Sequence, residues 1–143
     1  MKKVLVAVAL AVVAAGSIPG SASASNAVIV IPFEKHFVGT VEECNRYVGS
    51  ADGGTIEMLI CDSWFTGDVQ HFTATVLLDL GEDRSLTAIL DGRFDFNTLK
   101  VVLNGSVVDG WLEGARVHEE SQLVGFAPLT FEGIVKLMPG SAG

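Results

Sequence analysis

Three ionisable side chains stand at every second position in Arg116-x-His118-x-Glu120. Residues two apart in a strand share a face, so an extended backbone here aims a guanidinium, an imidazole and a carboxylate into one space. Histidine titrates near neutrality, a neighbouring glutamate can hold or return a proton, and arginine offers a fork of donors that fits a carboxylate. Lining one end of an apolar cavity, such a group would orient and protonate a substrate or clamp a ligand carboxylate. Arg116, His118 and Glu120 are therefore the candidate catalytic residues.

Which face they occupy depends on the strand that carries them. If Leu112 faces inward opposite Val107, unbroken alternation takes Gly114, Arg116, His118 and Glu120 inward beside Leu103, Phe94 and Phe96. A one-residue β-bulge near Gly114 reverses the choice, putting Ala115, Val117 and Leu123 inside and Arg116, His118, Glu120 and Gln122 in water. Burial of three ionisable groups is costly unless they pair. Both registers are open at the level of sequence.

No other motif carries chemistry. There is no phosphate loop, nucleophile elbow, HExxH helix or paired zinc motif, and His36, His71 and His118 have no ligand spacing. Neither a metal nor an organic cofactor is expected. With eight phenylalanines and one tyrosine, an interior built from these residues is poor in polar handles.

The elements that must position the candidates are strands. On one face Phe72, Ala74, Val76, Leu78 and Leu80 alternate; after Gly81-Glu82-Asp83-Arg84-Ser85 the face continues as Leu86, Ala88, Leu90, Gly92, Phe94 and Phe96, then as Val101, Leu103, Gly105 and Val107. The opposite face is mostly polar. Period-two alternation through several connected segments marks an antiparallel sheet with one face buried. Phe37 to Cys44, Thr55 to Phe65, Trp111 to Leu123 and Phe131 to Met138 read as further strands; Ala27 to Ile31 reads as an edge strand or an arm ending at Pro32, and Asn45 to Gly54 as a loop. Asp109-Gly110 has the form of a two-residue hairpin turn.

Hairpin arithmetic then places Ala74, Gly92, Gly105 and Gly114 in a row across four strands. Residues with little or no side chain lined up in this way let a sheet coil into a closed barrel. The expected fold is all-β, a single antiparallel up-and-down barrel of about eight strands. Phe72, Leu90, Phe94, Phe96 and Leu103 are its candidate ligand-binding residues.

The ends of the chain read differently. Met1-Lys2-Lys3, the apolar run Val4 to Ala15 and the small residues Ala22 and Ala24 form a secretory signal of bacterial type over residues 1–24. The barrel domain is expected over 25–138 and a disordered tail over 139–143. Loss of Lys2 and Lys3 takes the net charge from −8 to −10, which disfavours nucleic acid and anionic lipid surfaces as partners. Export would place Cys44 and Cys61 in an oxidising compartment, where their pairing stabilises by about 3 kcal/mol. A secreted protein with no membrane association in its mature form is implied, and its oligomeric state is not readable.

The strand rhythm of Leu90-Asp91-Gly92-Arg93-Phe94-Asp95-Phe96 and Leu103-Asn104-Gly105-Ser106-Val107 resembles the calycin-type barrels of the allene oxide cyclase and dirigent group, over about Phe33 to Met138. That group includes cyclases and proteins that guide radical coupling. The resemblance implies a barrel with an apolar lumen that holds a small hydrophobic ligand, or a cofactor-independent cyclase or isomerase. A filled barrel acting through its surface is the remaining alternative. None of that group's catalytic residues matches a position here.

Overall fold

The computed structural model describes residues 27–142. Its eight strands are β1 (Ile29–Val41), β2 (Cys44–Ala51), β3 (Gly54–Thr66), β4 (Val69–Asp79), β5 (Ser85–Asp95), β6 (Lys100–Gly110), β7 (Arg116–Phe126) and β8 (Leu129–Met138), and one turn of 3-10 helix, Pro139–Ala142, follows. Each strand pairs antiparallel with its neighbour in sequence, and β1 pairs with β8 to close the barrel. The signal-peptide reading falls outside the described residues.

The alternation that defines β4 to β6 is realised directly. Phe72, Ala74, Val76, Leu78, Leu80, Leu86, Ala88, Leu90, Val101, Leu103 and Val107 are all buried. The outer face carries Asp91, Arg93, Asn104, Arg116, Glu120 and Glu132, all exposed. Exposed apolar side chains, among them Leu77, Ile89 and Val124, stand between these polar groups.

Two segments, one left open between edge strand and arm and one read as a loop, are strand. Ala27 to Ile31 is not a separate arm: β1 runs unbroken through Pro32, which lies opposite Ile134 of β8, while pairing to β2 begins only at Phe33. The proline thus sits where one flank of the strand is still unpaired. Asn45 to Gly54 is mostly β2, bounded by the two-residue turns Glu42-Glu43 and Asp52-Gly53. All four turn residues have positive φ (49°, 70°, 46° and 84°), the backbone twist that joins neighbouring strands tightly.

The glycines act by close approach, in a register other than the one expected. Gly92 faces Phe72 and Leu103, and Gly105 faces Leu90 and Val117, so no row of glycines crosses four strands. A Cβ on Gly105 would lie 2.0 Å from the Ile89 carbonyl oxygen. The adjacent strand β5 approaches closely at this point, and a side chain would hold the two strands apart.

Cys44, at the start of β2, is bonded to Cys61 of β3. Cys61 is the extra residue where the β3–β4 register shifts between Ile60 and Asp62. The disulfide therefore fastens the barrel where its ladder is interrupted.

Candidate functional site

The barrel interior has two halves. Toward the end that carries the β2–β3, β4–β5 and β6–β7 turns it is filled by side chains such as Ile31, Ile56, Leu78 and Leu90, each no more than 2% exposed. Toward the other end a cavity of about 380 Å³ remains, with Tyr47, Met58, Phe72, Phe94, Val101 and Phe131 in its wall. That volume falls within the range of small-molecule sites, about 300–1,000 Å³.

Of the five residues expected to contact a ligand, Phe72, Phe94 and Phe96 line this cavity. Leu90 and Leu103 do not; they are 1% and 0% exposed and belong to the filled half of the core. Phe96 stands at the mouth, 46% exposed, with its ring 4.6 Å from that of Phe94 and 5.9 Å from that of Phe65. Trp64 lies outside this line, stacked on His71.

The candidate catalytic trio is corrected by the structure. Arg116 and Glu120 are exposed and His118 is part-exposed on the outside of the barrel. The reason lies in the β6–β7 connection. Asp109-Gly110 is not the hairpin turn; β6 continues through it, and Trp111 donates its backbone N–H to the Ser85 carbonyl of β5. The chain then turns through Leu112 to Gly114, and Val107 exchanges backbone bonds with Gly114 and Ala115 instead of lying opposite Leu112. A displacement of three residues is odd, so every side chain of β7 changes face. On the outer surface His118 bridges Asn104 Oδ1 and Glu120 Oε2, each at 2.7 Å. The hydrogen bond and charge of His118 lower the Glu120 pKa.

The same displacement turns Ala115, Val117, Glu119, Ser121 and Leu123 inward. Glu119 is fully buried and forms an ion pair with Lys35 of β1, itself 1% exposed. The two strands flank β8, with Lys35 opposite Phe131 and Glu119 opposite Val135, so the pair is made across one strand on the inner surface. The Lys35 ammonium also lies 4.5 Å from the centre of the Phe33 ring. Glu119 Oε1 and Ser121 Oγ are buried with no hydrogen-bond partner among the described residues. Lys35 and Ser121 line the cavity and, with Glu119, form its polar floor, while Asn45, Tyr47 and Gln70 are the other polar residues in its lining.

Sequence reasoning missed all three residues of the floor. Extending the alternation of Phe37 backward through Pro32 would have brought Lys35 inside, and the bulged register of β7 carries Glu119 and Ser121 with Val117. Tyr47 was missed because β2 was read as a loop. Its ring meets Phe37 and Phe131 at 5.5 and 5.8 Å, and burial raises its pKa.

Among the described residues no cluster of three His, Cys, Asp or Glu side chains is arranged to hold a metal ion. No family model matches the chain, and no curated protein or solved structure is significantly similar to it.

Proposed function

We propose that this is an exported carrier or receptor that holds one small hydrophobic molecule in the open half of its lumen. The observation that supports it is the cavity of about 380 Å³, walled by aromatic and aliphatic side chains inside a barrel whose other half is filled. An eight-stranded barrel has room either for its own side chains or for one small ligand, and this interior divides between the two. Export is supported by the leader-like residues 1–24 and by the disulfide.

The test is uptake of the neutral probe N-phenyl-1-naphthylamine. The expected result is saturable fluorescence enhancement at one site per chain, shielded from quenching by aqueous iodide. Absence of saturable uptake by the folded protein, or full access of iodide to the bound probe, overturns the reading.

A cofactor-independent cyclase or isomerase, the activity implied by resemblance to the allene oxide cyclase group, is a second reading. The outer position of Arg116, His118 and Glu120 removes its original support, and the buried Lys35–Glu119 pair is the acid-base chemistry left to it. Turnover of a bound molecule that survives replacement of Glu119 by Gln would sink this version.

A further inference from the structure

The lumen's polar floor narrows the class of ligand, on the reading that the lumen holds one. We infer that the ligand is a neutral molecule bearing a carbonyl oxygen, inserted oxygen-first so that this acceptor meets Ser121 and Lys35 while its apolar remainder lies among Phe72, Phe94 and Phe131.

Two observations carry this. Ser121 is 8% exposed, lines the cavity and has an Oγ with no hydrogen-bond partner among the described residues. Buried hydroxyls are ordinarily bonded, and leaving one unmatched is unfavourable by more than a typical hydrogen bond contributes. Lys35, beside it on the floor, is an ammonium with three donors and no acceptor. Across β8, Ser121 sits opposite Gly133 and Lys35 opposite Phe131, so both reach the inner surface within one step of the ladder. Lys35 can only donate, and the Ser121 hydroxyl can donate as well as accept, so one ligand oxygen that accepts satisfies both.

Charge decides which acceptor. Lys35 is already matched by Glu119, so the floor is neutral as a unit. A carboxylate would bring a second anion beside the pair, unmatched and out of water, where the penalty is severe. A ketone, ester or quinone oxygen accepts the same hydrogen bonds with no charge to compensate. A hydrocarbon of equal size would fill the cavity but leave Ser121 unbonded.

Three matched probes test this: 2-acetylnaphthalene, 2-ethylnaphthalene and 2-naphthoate, each titrated against the full mature chain and against Ser121→Ala. The ketone is expected to bind about tenfold more tightly than the hydrocarbon, the gain of one satisfied buried hydrogen bond, with the carboxylate weakest. Ser121→Ala removes a single oxygen from the core, and it should abolish most of the ketone's advantage while leaving the hydrocarbon's affinity within about twofold. Equal affinity for ketone and hydrocarbon, a preference that survives Ser121→Ala, or tightest binding of 2-naphthoate each overturns this inference while leaving the carrier reading intact. Failure of all three probes to bind overturns both.

Discussion

The rings of Phe94 on β5 and Phe131 on β8 meet inside the barrel, edge to face, with centroids 5.8 Å apart. Their strands are not neighbours, so the contact spans the lumen instead of running along its wall. Phe131 is 6% exposed and also touches Tyr47, whereas Phe94 is half-buried and continues to Phe96 at the mouth. Truncation should therefore separate the two. Phe131→Ala is expected to destabilise by about 3–5 kcal/mol, the range for a buried phenylalanine. Phe94→Ala, beside a space already open, should cost about half as much and admit bulkier ligands. Denaturant melts of both variants check the order; equal losses would show that the cavity does not relieve Phe94.

The Lys35–Glu119 pair predicts an asymmetry. Removing one member, as in Lys35→Met, leaves a buried charge without its partner and should destabilise by about 3–5 kcal/mol. Replacing both, Lys35→Met with Glu119→Leu, should restore stability to near the parent or above it. A double-mutant cycle read by urea unfolding gives the coupling. If the two losses simply add, the pair is not coupled.

Gly105 is a position where size alone decides. Its missing Cβ would lie 2.0 Å from one backbone oxygen and 2.8 Å from the Leu90 Cα, and backbone cannot move aside as a side-chain tip can. Gly105→Ala should lose about 3 kcal/mol or fail to fold. Alanine at Gly67, where a Cβ meets nothing within 4 Å, should lose only the strain of its left-handed backbone, about 1 kcal/mol. Thermal melts of the two variants compare crowding with backbone strain.

Tyr47 is the only tyrosine in the chain, so phenolate absorbance reports it alone. Burial raises its pKa in the folded protein. The associated stability is fully present below the unfolded value of about 10 and is lost as pH rises from there through the folded value. Tyr47→Phe should flatten this alkaline decline. A bound lumen ligand should push the Tyr47 titration further up by excluding more water, and a midpoint unmoved by ligand would place that ligand elsewhere.

The central strands were legible because Phe72 to Leu80 and Leu86 to Leu90 each bury one clean face, and burial is what period-two alternation records. The floor of the site was not legible, for reasons specific to three places. Asp109-Gly110 carries the strongest local turn chemistry in the chain, yet the Trp111 N–H bond to Ser85 draws β6 past it. That tertiary contact moves the turn by an odd number of residues and so exchanges His118 for Glu119 in the interior. Pro32 breaks a strand in the linear pattern but not at a flank where only β8 pairs. Lys35 and Glu119 are each improbable inside. Only together do they fit there, and a pairing between positions so far apart in the chain leaves no mark on local periodicity.

The closing ladder between β1 and β8 bears on how the chain can be made. Every other ladder joins neighbours in sequence and can form as soon as its hairpin exists. The seam between Ile29 and Leu137 must wait for the last strand to be synthesised. Until then β1 and β7 are bare edges, ready to pair with any other extended chain. A chain stopped before Leu129 is therefore expected to yield a two-edged, self-associating sheet and not a smaller barrel, so premature termination would produce aggregates.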